Sequence, residues 1–309
     1  MKWLSLAVLI ISISCRPSTN GRLNQEELPG SGFIEIDGGK LKYVVEGEGI
    51  PCLVIGSSVY YPKTFSANLR KHLRMYFVDM PWFAEEYSAP DLEAYSIQHL
   101  ANDIEEVRVA LKLVDFVIMG HSIHGTVALE YARRYHKHVS HCILIGSPTI
   151  YNNEEYDIAT KAIWKTASQE RQELQNKNWM ELQSTDSLSG SELVVENYIA
   201  MAPKYWFNPR YDARWLWDDM IINADIITHL YGTIFRDYNM FRNNPTVPVP
   251  TFVALGRYDY VIPIQFWKDQ THIPNLTLKV FERSGHTAQF EEPGEFDKKI
   301  LEWLKIDVH

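Results

Sequence analysis

Short apolar runs and amphipathic stretches alternate along most of the chain. Residues 33–36 and 41–45 flank Asp37-Gly38-Gly39, which predicts a β-hairpin. Six further runs are compact and rich in β-branched or large apolar side chains, which is typical of strands buried on both faces of a parallel sheet. These runs are residues 52–55, 75–78, 116–119, 142–145, 251–255 and 276–281.

Helical periodicity separates these runs. In residues 97–113, four apolar side chains recur at spacings of three and four, which places them on one face of a helix. Residues 123–135 and 293–304 predict two more helices. The four side chains in the first helix are Leu100, Ile104, Val107 and Leu111.

The alternation of strands and helices stops after Pro148 and resumes at residue 251. Residues 149 to about 235 have a helical pattern without a clear strand and are dense in Trp and Tyr, and PTVPVP at 245–250 ends the stretch. We therefore predict an α/β fold with a mostly parallel sheet flanked by helices. Its core comprises residues 32–148 and 245–309, and a helical cap at residues 149–244 is inserted within it.

The N-terminal segment has the features of an export signal. Lys2 precedes an apolar run at residues 3–13, which is shorter than the roughly 20 residues of a membrane-spanning helix. Cys15 follows Ser12-Ile13-Ser14, which resembles a bacterial lipobox with Ser12 in place of the usual Leu. Residues 1–14 are thus predicted to be a signal peptide, and residues 15–31 a polar tether. Cys15 would anchor the exported protein to the cell envelope; plain secretion and a retained membrane anchor are the alternatives.

Composition narrows the function classes. The 309 residues carry 30 basic and 39 acidic side chains, a net charge of −9, which argues against nucleic acid as a partner. Three cysteines are too few for a disulfide framework. Two of them, Cys52 and Cys142, fall in predicted core strands and are expected to pack as small hydrophobic side chains.

The most informative stretch is residues 116–125. A buried-type strand leads directly into Gly120-His121-Ser122-Ile123-His124-Gly125 and then into a helix. This strand–turn–helix context is the one that presents a nucleophile on a sharp turn. Ser122 is the candidate nucleophile, and the N–H of Ile123 at the helix start is a candidate oxyanion donor.

The stretch resembles the nucleophile turn of the α/β-hydrolase superfamily, in which Gly-x-Ser-x-Gly is usual. The resemblance implies an acid and a base that follow in the order Ser, acid, His. The segment at residues 251–263 matches the family's acid loop and offers Asp259, and Phe281-Glu-Arg-Ser-Gly-His matches the base loop and offers His286. One position departs from the pattern, because His124 replaces the last Gly of the motif.

The second oxyanion donor is expected in the loop after the strand at residues 52–55. The family usually has His-Gly there, and this chain has Gly56-Ser57. Counting from Pro51 assigns the backbone N–H of Ser58 as the donor, and a shift of one residue would make it Ser57.

The residues and the resemblance together predict a serine hydrolase of small acyl substrates, amides or esters, without a cofactor. The aromatic cap resembles the proline-iminopeptidase-related branch, which slightly favours an amide of a small molecule or short peptide. A carboxylesterase or lipase-like enzyme, an acyltransferase and a non-catalytic binding protein are the alternatives. A metal site at the histidines of residues 136–141 is not expected. In the proline-iminopeptidase-related branch, carboxylates of the cap bind the free amino group of the substrate. The candidates for that role in this chain are Glu192, Glu196, Asp218 and Asp219.

Overall fold

The computed structural model describes residues 30–85, 87, 95–151, 153–185, 187–236, 238–242, 246–268 and 270–306. The predicted signal peptide, Cys15 and most of the tether lie outside these residues. Within them, eight strands form one sheet in the order β1-β2-β4-β3-β5-β6-β7-β8. The strands are β1 Ser31–Ile36, β2 Gly39–Glu46, β3 Ile50–Gly56, β4 Leu73–Asp79, β5 Phe116–His121, β6 Val139–Ile145, β7 Thr251–Gly256 and β8 Leu276–Phe281.

The sheet is mostly parallel, as the sequence predicts. Strand β2 pairs antiparallel with both β1 and β4, and every other pair is parallel. The predicted hairpin joins β1 to β2 through a two-residue turn, in which Gly38 adopts a positive φ of 95° that suits glycine.

Helices flank this sheet. Across the described residues they are α1 Ile97–Ala110, α2 Ile123–Arg134, α3 Glu154–Trp164, α4 Gln169–Gln183, α5 Gly190–Ala200, α6 Ala202–Tyr205, α7 Ala224–His229, α8 Ala288–Glu291 and α9 Pro293–Trp303. The three helices predicted from periodicity correspond to α1, α2 and α9 and differ from them only at their carboxyl ends. In the described part of the chain, no helix combines the length and the apolar character required to cross a membrane.

Alternate side chains of the buried strands enter two apolar clusters, one on each face of the sheet. In β5, Phe116 and Ile118 join the cluster that includes side chains of α1 and α2. Val117 and Met119 join the other cluster, together with Phe296 of α9. Burial on both faces explains why these strands are near-continuous apolar runs in the sequence.

The segment between β6 and β7 is helical. Its described residues form α3 to α7 and contain no strand. Trp206 and Leu216 are buried there in a small cluster, against which Tyr60 and Phe290 pack. Because Tyr60 follows β3 and Phe290 follows β8, the insertion shares an apolar core with the sheet domain at the carboxyl edge of the sheet.

Candidate active site

Ser122 lies on a sharp turn between β5 and α2. Its backbone adopts φ 55° and ψ −128°, a conformation that is strained for a residue with a side chain. Two hydrogen bonds hold the turn: the Ser122 N–H donates to the Ile145 carbonyl at 2.8 Å, and the Gly125 N–H donates to the Ser122 carbonyl at 3.0 Å. The strain is thus fixed by the neighbouring strand and by the first turn of the helix.

Two glycines make this turn possible. A Cβ at Gly120 would lie 2.4 Å from the His124 carbonyl oxygen, and a Cβ at Gly125 would lie 1.8 Å from the Ser147 hydroxyl. The close approach to the segment that follows β6 therefore occurs at Gly125, one residue after the position at which the family motif has its second glycine. This displacement accommodates the bulky side chain of His124.

The Asp259 carboxylate and the His286 imidazole are in direct contact. Asp259 Oδ2 lies 2.7 Å from His286 Nδ1, and Asp259 Oδ1 accepts the N–H groups of Val261 and Ile262, both at 2.9 Å. Asp259 is 5% exposed and His286 is 7% exposed. A buried carboxylate bound on both oxygens holds the ring in one orientation, with Nδ1 protonated and Nε2 left for proton transfer.

Ser122 and His286 line one cavity between the sheet edge and the helical insertion, here called the central cavity. The structure gives no hydrogen bond between the Ser122 hydroxyl and the His286 imidazole, although both residues belong to its described part. The structure thus brings Asp259 and His286 into direct contact, and Ser122 lines the same cavity as His286.

The two candidate oxyanion donors in the loop after β3 are the backbone N–H groups of Ser57 and Ser58, and they differ in their surroundings. The N–H of Ser58, the residue assigned from the sequence, donates to Asp79 Oδ1 at 2.5 Å inside the protein. That contact speaks against Ser58, because a donor already bound to a carboxylate is not free for an oxyanion. Ser57 lines the central cavity together with Ile123, and neither backbone N–H has a partner among the described residues. The geometry therefore favours the one-residue shift, to Ser57.

Asp79 ends β4 and orients this loop. Burial raises the pKa of its carboxyl to about 6, and the hydrogen bond from the Ser58 N–H opposes that rise. The Ser57 hydroxyl adds a second support, since it accepts the N–H groups of Val59 and Tyr60 at 3.1 Å and 3.0 Å. The loop that carries Ser57 is therefore held by fixed hydrogen bonds to Asp79 and to the Ser57 hydroxyl.

Three buried polar rings, those of Tyr61, His121 and His124, stand beside Ser122. The Tyr61 hydroxyl lies 2.8 Å from His124 Nδ1 and 3.3 Å from His121 Nδ1. Trp82 stacks on the His124 ring with centroids 5.3 Å apart. Burial lowers the pKa of His124 to about 4 and lowers the pKa of His121 well below its ordinary value, so both rings are neutral at pH 7.

Aromatic and aliphatic side chains dominate the walls of the central cavity. No Asp or Glu is among the residues that line it in the described part of the chain. Its aromatic lining residues are Tyr60, Tyr61, Trp82, Phe83, Tyr198, Tyr205, Trp206, Trp217, Tyr231 and Phe235.

The four cap carboxylates proposed from the sequence lie outside this cavity. Glu192 and Glu196 line a separate depression beside α4 and α5, where Glu196 pairs with Arg214 at 2.9 Å. Asp218 and Asp219 are exposed. Over the described ranges, no three His, Cys, Asp or Glu side chains are grouped so that they could hold a metal ion.

Comparison with known proteins places the chain in a family. A model of the α/β-hydrolase fold matches residues 50–293. The chain therefore belongs to the α/β-hydrolase family, and it is an α/β-fold hydrolase.

Three similar proteins show the range of this family. The chain is 34% identical to the AB hydrolase superfamily protein YclE of Bacillus subtilis over 276 residues, 89% of this chain and 98% of that protein. It is 24% identical to the proline iminopeptidase PfmaB of Pestalotiopsis fici, over 88% of this chain and 99% of that protein. The solved esterase of Exiguobacterium antarcticum superposes with a TM-score of 0.64 at 21% identity and covers 88% of this chain and 98% of that one.

Proposed function

We propose that this hydrolase is a serine esterase in which Ser122, His286 and Asp259 form the catalytic triad. The observation that carries the proposal is the 2.7 Å contact between Asp259 and His286, because His286 lines the same cavity as the strained Ser122 turn. A serine hydroxyl is a weak nucleophile at neutral pH, so it needs a base in reach and a carboxylate that orients the base.

The proposed reaction proceeds through an acyl-enzyme. Ser122 Oγ attacks the ester carbonyl while His286 Nε2 takes its proton, and the N–H groups of Ser57 and Ile123 stabilise the oxyanion. His286 then protonates the leaving alkoxide, and the alcohol departs. His286 Nε2 then deprotonates a water molecule, which attacks the acyl carbon. The bond to Ser122 Oγ breaks, His286 returns the proton to that oxygen, and the acid is released.

The walls of the central cavity favour the binding of an uncharged, apolar acyl group. An aminopeptidase has to bind a free ammonium group, and a buried charge of that kind requires a partner of opposite sign. The four carboxylates that could have served lie elsewhere, and the described lining residues are mostly apolar and aromatic. The cavity thus favours an ester with an aliphatic or aromatic acyl group over an aminoacyl amide, which reverses the slight preference from the sequence.

A fluorophosphonate probe tests the proposed nucleophile. We expect the wild-type protein to be labelled stoichiometrically, with the adduct on the peptide that contains Ser122, and the S122A variant to remain unlabelled. Intact-protein mass spectrometry measures both. A folded wild type that stays unlabelled, or an S122A variant that is still labelled, would refute the assignment.

A substrate panel tests the acyl preference. We expect p-nitrophenyl butyrate, octanoate and phenylacetate to be turned over with higher kcat/KM than the anilides of proline and leucine. Circular dichroism confirms that the enzyme is folded in each assay buffer. A higher kcat/KM for the aminoacyl anilides would instead support a peptidase.

A further inference from the structure

A chain of buried hydrogen bonds connects Tyr61, His121 and His124 to the loop of the proposed catalytic base. The Tyr61 hydroxyl contacts Nδ1 of both histidines, His124 Nδ1 also lies 3.1 Å from the His121 carbonyl, and His121 Nε2 lies 3.0 Å from the His286 carbonyl. Tyr61, His121 and His124 are 3%, 8% and 6% exposed.

The partners determine where the ring protons lie. His121 Nε2 faces a backbone carbonyl, which only accepts, so Nε2 carries the proton and Nδ1 is an acceptor. The Tyr61 O–H therefore donates to His121 Nδ1. His124 Nδ1 faces the His121 carbonyl and the Tyr61 oxygen, so it carries the proton and donates to both.

The opposite arrangement conflicts with the same contacts. A bare His124 Nδ1 would place a lone pair against the His121 carbonyl oxygen. It would also put the proton on His124 Nε2, a buried atom without a hydrogen-bond partner among the described residues. A buried donor without an acceptor is costly, which leaves one direction for the whole chain: His124 to Tyr61, Tyr61 to His121 and His121 to the His286 carbonyl.

This chain joins the three segments that supply the proposed catalytic groups. Tyr61 begins a short 3-10 turn that follows the oxyanion loop, His121 and His124 flank Ser122, and the last acceptor is the backbone of His286. The His121 ring also packs edge-on against the His286 ring, with centroids 4.7 Å apart. A change at Tyr61 is therefore transmitted to the nucleophile turn and to the base loop.

We propose that Tyr61 and His121 are positioning residues, which set the place of His286 relative to Ser122 through this hydrogen-bonded chain. The inference rests on the proposed function of Ser122 and His286. Misplacement of a catalytic group by about 1 Å reduces the rate by orders of magnitude, whereas affinity depends mainly on the cavity walls. Loss of the chain is therefore expected to lower kcat more than it raises KM.

Nitrogen NMR tests the chain without any assay of activity. Histidine-labelled full-length protein at pH 7 should show His121 protonated at Nε2 and His124 protonated at Nδ1. In the Y61F variant the His121 Nδ1 resonance should shift, because that nitrogen loses its donor. The reverse tautomer at either ring, or an unchanged His121 resonance in Y61F, would overturn the proposal.

Kinetics test the positioning role. We expect Y61F and H121L each to lower kcat for p-nitrophenyl butyrate by at least about tenfold with KM within about threefold. The double variant should be no slower than the slower single variant, because both changes break one chain. H121Q, which keeps a donor and an acceptor, should recover part of the rate.

Tyr131 provides the matched control. Its buried hydroxyl donates to Glu105 at 2.8 Å, away from the central cavity, so Y131F deletes a buried tyrosine hydrogen bond of the same kind. We expect Y131F to lower the melting temperature and to leave kcat within about twofold. Equal losses of kcat in Y61F and Y131F, or independent losses that multiply in the double variant, would contradict the positioning role. Failure of the fluorophosphonate labelling would refute the proposed function instead, and the NMR result would stand by itself.

Discussion

The buried Asp259 side chain holds its own loop in place and also determines which ring nitrogen of His286 carries the proton. Its Oδ1 accepts two backbone N–H groups of the loop, and its Oδ2 accepts the proton on His286 Nδ1. The carboxylate is thereby rigid before a substrate arrives, and the imidazole is held in the tautomer that leaves Nε2 unprotonated. Pre-organisation of this kind avoids reorganisation in the transition state.

The D259N variant separates the two tasks of this side chain. The amide oxygen can still accept the loop N–H groups, but the NH₂ group facing His286 Nδ1 forces the proton onto Nε2. We expect kcat to fall by about four orders of magnitude while KM and the melting temperature change little. Steady-state kinetics with p-nitrophenyl butyrate measure the effect, and a loss below about tenfold would argue against Asp259 as the acid.

Asp79 predicts a pH dependence of stability. Burial raises its pKa from 3.8 to about 6 in the folded protein. Between these values the folded state binds more protons than the unfolded state, so the free energy of unfolding decreases as the pH rises from about 4 to about 6. Above about pH 6, the ionised Asp79 carboxylate therefore lowers the free energy of unfolding by up to about 3 kcal/mol.

We expect the D79N variant to lose this dependence, because asparagine keeps an acceptor for the Ser58 N–H without a charge. Urea unfolding at pH 4, 5, 6 and 7 measures the difference between variant and wild type, which should grow in favour of D79N over this range. The D79A variant leaves the Ser58 N–H without an acceptor and should be less stable than D79N by about 1–3 kcal/mol at each pH. Parallel curves for wild type and D79N would contradict the expectation.

At the scale of secondary structure, periodicity predicted the sheet and its flanking helices because burial on one or two faces leaves a local pattern. The loop after β3 is different. In that loop the Ser58 N–H is bound by Asp79, which belongs to another strand, and counting along the chain could not reveal that contact. The contacts of Tyr61 with His121 and His124 span about 60 residues of sequence and leave no periodic trace.

Helix α4 stabilises the cap segment next to the proposed base. The Arg171 guanidinium is buried, lies 5.3 Å above the Tyr260 ring and donates three hydrogen bonds to backbone carbonyls. Within the segment so held, the Tyr205 carbonyl accepts the His286 N–H at 2.5 Å. The three acceptors are the carbonyls of Pro203, Trp206 and Phe207, at 2.7, 2.8 and 2.7 Å.

The R171M variant should therefore lose stability and activity together. It removes three charge-assisted hydrogen bonds and leaves buried carbonyls without donors, so we expect a loss of at least about 3 kcal/mol in the free energy of unfolding. We expect kcat to fall as well, because the Tyr205 carbonyl no longer holds His286. R171K keeps the charge without the planar fork and should be intermediate. If urea unfolding showed R171M to be as stable as the wild type, the proposed role of Arg171 in stabilising this segment would be disproved.

At the scale of the whole molecule, core and insertion form one continuous body around the central cavity. Lys63 reaches from the loop after β3 to the insertion and donates to three carbonyls near Trp217, which lines the cavity. Arg171 and the Tyr205 carbonyl connect the insertion to the base loop. The central cavity is thus built from both parts of the chain. Local motifs could therefore nominate Ser122, Asp259 and His286 as a triad, which stays a prediction, whereas the chemistry of the cavity walls depends on residues that are far apart in the sequence.

From the N-terminal sequence we propose that this molecule acts at the cell envelope, anchored through Cys15. Its apolar run is too short to span a bilayer, and Cys15 follows a small-residue stretch that suits signal cleavage. When the full chain is expressed in a bacterial host, we expect a radiolabelled fatty acid to be incorporated and the protein to sediment with membranes.

The C15A variant should lose the label while S122A keeps it, because S122A changes only the proposed nucleophile. Release of the C15A variant into the soluble envelope fraction would show that lipid at Cys15 provides the anchor. Equal labelling of wild type and C15A would contradict lipidation at Cys15.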